Sequence, residues 1–333
     1  SSANEPDANG LTALMHAVRA KDIKSVHHLI TKEHARIDVA DKNGQTPLIH
    51  AVKSGNNRIV DYLLYMGADT TARDKFGRTA LMYAAWKGYP QLVEMLLRKD
   101  SSDRYITDNN GANAIMYAAL SGDLECVDIL NREDDDLFVE DNKGRNLLWY
   151  ACNSGNPSLV QDLVESGVDI DHRAENGETP LMYAVRERKL IVSERLIQLG
   201  ADVDAQDNNG LTPLMIGIEN RAICEQLINA KADVNKKDVN GWTAAMHAIN
   251  LREVKGFEVL LKNGINLRLA NNDDKTVFEM IAEKKFNEAA WFLRDALQKG
   301  KVSYDRFCCI EPIIKVRIEI LRRLNGCNQH LKS

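Results

Sequence analysis

Apolar positions along the chain fall into short stripes that recur at a fixed distance. Leu48, Ala51 and Val52, and again Leu81, Ala84 and Ala85, stand at the spacing of one helix face. A stronger stripe follows each: Ile59, Leu63 and Leu64 after the first, Leu92, Leu96 and Leu97 after the second. Polar, glycine-bearing segments separate the pairs. One short pattern, Gly-x-Thr-x-Leu-(Met/Ile)-x-Ala, opens each pair with variations. Its glycines are Gly10, Gly44, Gly77, Gly111, Gly144, Gly177, Gly210 and Gly241, at steps of 34, 33, 34, 33, 33, 33 and 31 residues. A ninth, degraded copy has Asp274 in the glycine position, followed by Lys275-Thr276. Such a period predicts a helix pair per repeat, with each repeat burying its apolar face against its neighbours.

The punctuation agrees with the stripes. Asp41-Lys42-Asn43-Gly44, Asp74-Lys75-Phe76-Gly77 and Asp207-Asn208-Asn209-Gly210 read as tight turns, with Asp bonding local backbone and Gly supplying positive φ. Thr46, Thr79, Thr179, Thr212 and Thr243 stand where a helix starts and can cap it; Pro47, Pro180 and Pro213 follow at the first helical position. Gly67-Ala68-Asp69, Gly167-Val168-Asp169 and Gly200-Ala201-Asp202 close the second helix. The two 34-residue steps trace to longer loops at Thr31–Ala40 and Arg98–Thr107. The 31-residue step traces to a turn two residues short at Glu219-Asn220-Arg221.

Composition adds limits. Over 333 residues the net charge is −5 and the Lys and Arg residues are dispersed, which argues against nucleic acid or an anionic membrane as the main partner. No window approaches a transmembrane span, and residues 1–6 form a polar tail with no signal core. Of the six cysteines, Cys126, Cys152 and Cys224 fall at core positions; Cys308, Cys309 and Cys327 lie beyond the repeats. None forms a CxxC pair, so the expectation is reduced thiols in a reducing, cytoplasmic compartment, with no metal and no cofactor.

Thr-Pro-Leu-x-x-Ala, the Gly-Ala-Asp ending and the period together resemble the ankyrin repeat over residues 7–299. The resemblance implies an all-α solenoid of helix-turn-helix units with β-turn/hairpin loops. It comprises eight recognisable repeats and a charged capping repeat from Thr276 onward, followed by a C-terminal extension at 300–333. It also implies a non-enzymatic scaffold or adaptor that binds a partner protein or peptide on its concave face. Departures are local. Met15, Met82, Met116, Met182, Met215 and Met246 replace the usual His, Trp149 occupies that place in repeat five, and repeats one, three and four lack the Gly-Ala-Asp cap, so softer caps are expected there.

The residue before the recurrent Ala should face the concave side: His16, His50, Tyr83, Tyr117, Tyr150, Tyr183, Ile216 and His247. The four consecutive tyrosines form a column that either contacts a partner or packs between neighbouring repeats. Read as a contact surface, Tyr117→Ala with Tyr150→Ala would weaken binding by more than about 2 kcal/mol without unfolding the array. One turn on, Arg19, Lys53, Trp86 and Arg186 share that side; at the turn tips stand Phe76, Arg78, Arg145 and Trp242, of which Phe76 is the least expected in a turn. The candidate partner-binding set is therefore Phe76, Arg78, Tyr83, Trp86, Tyr117, Arg145, Tyr150, Tyr183, Arg186 and Trp242.

No nucleophile elbow, P-loop or zinc-protease motif is present. The run Glu133-Asp134-Asp135-Asp136 lacks the Ca²⁺-loop pattern and reads as a solvated loop. Cys308-Cys309 is a poor candidate for an unrecognised cysteine-dependent site. Ser303 to Cys308 faintly resembles the start of an elongin-binding box, which would make the chain a substrate receptor for ubiquitin ligation. Tyr304 and Pro312 depart from that pattern. Glu311 to Asn325 reads as an amphipathic helix, basic at Arg317, Arg322 and Arg323, that packs on the array or docks elsewhere.

Overall fold

The computed structural model describes residues 3–132 and 136–298. The expected helix over 311–325, Cys308-Cys309, the Ser303–Cys308 segment and the acids at 133–135 lie outside the described residues. The chain divides into two compact units, Ser1–Glu175 and Asn176–Ser333. Among the described residues there is no strand, only an isolated bridge between Glu140 and Asn146.

Unit 1 stacks helix pairs. They are α1 (Ala13–Arg19) with α2 (Ile23–Thr31), α3 (Pro47–Lys53) with α4 (Asn57–Tyr65), and α5 (Ala80–Trp86) with α6 (Pro90–Lys99). Next come α7 (Ala114–Ser121) with α8 (Leu124–Leu130) and α9 (Leu147–Ser154) with α10 (Pro157–Glu165). Unit 2 continues the scheme with α11 (Pro180–Arg186) and α12 (Leu190–Gln198), then α13 (Pro213–Ile216) and α14 (Arg221–Asn229). It ends with α15 (Ala244–Leu251) and α16 (Val254–Leu261), then α17 (Val277–Lys284) and α18 (Asn287–Gln298).

Caps set where the first helices begin. The hydroxyls of Thr12, Thr46, Thr79, Thr179 and Thr212 accept from the amides of Met15, Ile49, Met82, Met182 and Met215 at 3.3–3.4 Å. Asn113 and Asn146 do the same where Thr is absent. Each such cap contributes about 1 kcal/mol. Thr276 and Glu279 cap each other reciprocally at the start of α17. The methionines at the third helical position, Met15, Met82, Met116, Met182 and Met246, are fully buried and fill the core by dispersion. Cys126, Cys152 and Cys224 are buried free thiols. Burial pushes their pKa values up, Cys224 to about 12, so they stay protonated and poorly nucleophilic.

The turns are held twice over. In Asp41-to-Gly44 the Asp41 Oδ1 accepts from the amides of Asn43 and Gln45 at 2.8 and 2.9 Å. Gly44 sits at φ +77, a conformation that costs a side-chain-bearing residue energy. From the second turn on, each is then tied to the next by one backbone bond. In unit 1 the amides of Lys75, Asn109, Asn142 and Glu175 donate to the carbonyls of Asn43, Phe76, Asn110 and Lys143 at 2.9–3.0 Å. In unit 2 Asn208, Val239 and Asn272 donate to Asn176, Asn209 and Asn240 at 3.0–3.1 Å.

The irregular spacings have local structures. The extra residue of repeat three lengthens α6 to ten residues, and a 3-10 turn at Ser101–Tyr105 stands where others place the glycine cap. In repeat one His34 adopts a left-handed φ of +51 at the place where Gly67, Gly167 and Gly200, also at positive φ, stand in other repeats. In repeat seven α13 is four residues long, a single turn, which accounts for the short step.

Candidate protein-binding face

In unit 1 the turn tips and the first helices α1, α3, α5, α7 and α9 share one side. The position before the recurrent alanine does structural work there. Tyr83, Tyr117 and Tyr150 are 4%, 6% and 7% exposed. Their hydroxyls donate to the Oδ2 atoms of Asp74, Asp108 and Asp141 at 2.5–2.6 Å, each the turn aspartate of the same repeat. Burial first, then the adjacent carboxylate, raises all three phenol pKa values, so each hydroxyl keeps its proton and donates. His50 pairs with Asp41 in the same way at 2.9 Å, and His16 pairs with Asp7 at a more exposed site. Each aspartate thus holds its turn with one oxygen and its helix with the other. In unit 2 His247 bonds Asp238 identically, and Tyr183 is 7% exposed. These tyrosines therefore present little free surface.

Burial lowers the His50 pKa, partly opposed by Asp41, so the folded chain prefers neutral imidazole. A folded pKa below the unfolded value of about 6.5 gives stability that is present above that pH and lost as pH falls through the folded pKa. His50→Tyr, which installs the group found at this position in the next repeat, is expected to remove that acid-side loss. Urea midpoints at about pH 5 and about pH 8 check it: the variant's difference should be smaller than that of the parent chain.

The exposed chemistry lies around Arg78. Phe76 and Trp86 are 48% and 38% exposed. The Arg78 guanidinium lies 4.8 Å from the Phe76 ring centre and 5.0 Å from that of Trp86, and its Nε donates to the Tyr117 hydroxyl at 2.9 Å. Burial opposes its charge, but the Tyr83 and Tyr117 hydroxyls outweigh this and raise its pKa. Among the described residues Arg78 has no ion pair. The other candidate arginines differ. Arg145 is bonded to Asp141 at 2.5–2.6 Å and stacks 4.2 Å from the Trp149 ring. In unit 2 Arg186 pairs with Glu178, and Trp242, partly buried, tilts against His247 at 5.2 Å.

Sequence reasoning passed over two participants. Lys75 lies 5.0 Å from the Phe76 ring centre on the side chain of a turn residue. Gln45 donates to the Tyr83 hydroxyl at 3.4 Å and accepts from Lys53 at 3.0 Å. A groove of about 670 Å³ opens beside them, lined by Arg19, Lys42, Gln45, His50 and Lys53. Among the described residues no three His, Cys, Asp or Glu side chains gather into a metal site, and no helix is long and apolar enough to cross a membrane.

The family model for ankyrin repeats, three copies long, matches overlapping stretches from residues 1–74 to 219–302. The chain belongs to the ankyrin-repeat family. Human ASB11's ankyrin repeat domain superposes with a TM-score of 0.59 at 22% identity, covering 67% of this chain and 99% of that one, and it supports the ankyrin-repeat solenoid fold. Curated proteins match over shorter stretches. Tyrosine-protein kinase HTK16 of Hydra vulgaris is 38% identical over 77 residues, 23% of this chain and 10% of the kinase. The nuclear factor NF-kappa-B p105 subunit of Rattus norvegicus is 34% identical over 74 residues, 22% of this chain and 8% of that protein. The matched stretches thus span a tenth or less of these two relatives. Ankyrin repeats generally mediate protein–protein interaction, and that general role is the one the family assigns here.

Proposed function

We propose that this chain is a non-enzymatic binding module that holds an extended segment of a partner protein on the turn face of unit 1, centred on Phe76, Arg78 and Trp86. The observation that carries this reading is a guanidinium without a carboxylate, held between two half-exposed aromatic rings. Trp, Tyr and Arg side chains are the usual energetic centres of protein interfaces. Holding them in place costs stability that no intramolecular ion pair returns. Tyr83, Tyr117 and Tyr150 support the site from beneath, and Arg145 carries a smaller role because its guanidinium is already engaged by Asp141.

Random peptides displayed on phage and selected on the full chain test the reading. Binding of the selected peptides should fall by about 30-fold or more in the Phe76→Ser, Trp86→Ala double variant. It should be unchanged in Tyr65→Ser, which removes an 83%-exposed aromatic ring. Peptides indifferent to Phe76 and Trp86 would place the binding surface elsewhere and sink the proposal.

A further inference from the structure

The cations of this face have a spacing as well as a sign. Arg19 on α1 and Lys53 on α3 occupy equivalent positions in successive repeats, and Trp86 on α5 is the next in that row. Arg78 stacks on Trp86 and so brings its charge to the place where the row would otherwise be neutral. The row is continuous. Arg19 and Lys53 line one groove with Lys42, Lys53 lies 5.3 Å from the Tyr83 ring centre, and Tyr83 stacks on Trp86 at 6.1 Å. The acid nearest the groove, Asp41, has its side chain 4% exposed and is committed to its turn amides and His50. Among the described residues, Arg19, Lys42, Lys53 and Arg78 form no ion pair, whereas Arg145 and Arg186 do.

From this charge pattern we infer that the occupant of the face is an extended acidic peptide whose carboxylates recur at every third residue. The inference rests on the proposed function and deepens it. Packed helices stand about 8–10 Å apart and an extended chain advances about 3.3–3.6 Å per residue, so one repeat spans about three peptide residues. Carboxylates at that interval meet Arg19, Lys53 and Arg78 in turn, and the Arg78 fork takes one of them bidentately. The residues between them lie over the exposed edges of Phe76 and Trp86, which favours an aliphatic neighbour for the acid that Arg78 binds. A single-stranded nucleic acid fits less well. It binds by stacking bases on open aromatic faces, and here the guanidinium of Arg78 already lies over both rings.

The test uses the full chain and fluorescence anisotropy with a labelled peptide of four Glu-Val-Ser triplets. Comparison peptides have the same composition with the glutamates contiguous, or Gln for every Glu; an oligothymidylate of equal length is the nucleic-acid probe. The triplet peptide should bind at least about tenfold more tightly than any of the three. Arg78→Gln should weaken it by about tenfold or more, as should Arg19→Gln combined with Lys53→Gln, with helicity unchanged by circular dichroism. The double variant decides the matter should Arg78→Gln fail to fold. Equal binding of the Gln or contiguous peptide, tighter binding of the oligonucleotide, or indifference to both sets of variants would overturn the inference. Phage-selected peptides without acids that still depend on Phe76 and Trp86 would overturn it while leaving the proposed function standing. Selected peptides indifferent to those two residues remove both.

Discussion

Tyr117→Ala combined with Tyr150→Ala is expected to unfold the middle of unit 1 rather than weaken binding alone. Both rings are buried, and they stand on the neighbouring first helices α7 and α9. Truncating a buried aromatic of this size costs about 3–5 kcal/mol at one site. Neighbouring sites share partners, so the sum need not be additive, but a loss above about 5 kcal/mol is a large part of what holds a domain folded. This replaces the sequence-based expectation of a loss in binding with the fold intact. Urea denaturation followed by circular dichroism should show a much lower midpoint, or a separate early transition. The Tyr117→Phe, Tyr150→Phe pair isolates the hydroxyls. It keeps the rings and should cost about 0.5–1.5 kcal/mol per site, with Asp108 losing more than Asp141, which keeps Arg145. If the alanine pair left the urea midpoint unchanged, the tyrosines would not be the keystones described.

The second large effect is a single methyl group. A Cβ added to Gly44 would lie 2.9 Å from the Lys75 amide nitrogen and 3.0 Å from the Asp74 backbone, with φ at +77. The left-handed conformation costs about 1–2 kcal/mol, and pressing on the next turn's backbone adds about 1–3 kcal/mol. Gly44→Ala should therefore lower stability by about 2–5 kcal/mol and stretch the bond from the Lys75 amide to the Asn43 carbonyl, now 2.9 Å. Gly67→Ala is the control. It shares the left-handed backbone at φ +90 but meets nothing within 4 Å, so only the conformational cost of about 1–2 kcal/mol applies. Equal losses in the two variants would mean that turn-to-turn contact contributes little. Hydrogen exchange at the Lys75 amide gives an independent reading, with faster exchange expected in Gly44→Ala alone.

The helix pairs were legible because most carry recognisable punctuation: a Thr or Asn cap, an Asp-x-x-Gly turn, a methionine or isoleucine at the third helical position and, in three repeats, a proline. The short step of repeat seven lies between its two helices as the sequence indicates, but the shortening falls in α13 itself rather than in the turn after it. Burial of the tyrosines was not legible from the helices alone, because it depends on a second use of the turn aspartate. The signal lies in the chain nonetheless. Asp41 and His50, Asp74 and Tyr83, Asp108 and Tyr117, Asp141 and Tyr150, and Asp238 and His247 all stand at one separation. In repeat six Ala174 stands where that aspartate would be, and in repeat seven Ile216 replaces the ring. Phe76 could be singled out because the same turn place carries Asn43, Asn110, Asn176, Asn209 and Asn240 in other repeats. What separates Arg78 from Arg145 could not. Arg145 turns back onto its own aspartate, while Arg78 reaches across to Tyr117 and lies against two rings, and only the fold shows which path each side chain takes.

The turn-to-turn bonds also bear on how the chain comes into being. Within each unit every such bond joins a repeat only to the one before it, so no rung waits for residues far downstream. At ordinary synthesis rates of about 5–20 residues per second, a ribosome releases one repeat every few seconds, slow compared with the forming of a helix pair. Each new turn can then dock on a finished predecessor as it emerges. The nascent chain exposes one unpaired end at a time, and it is that growing end, rather than the finished face, that a chaperone would need to shield.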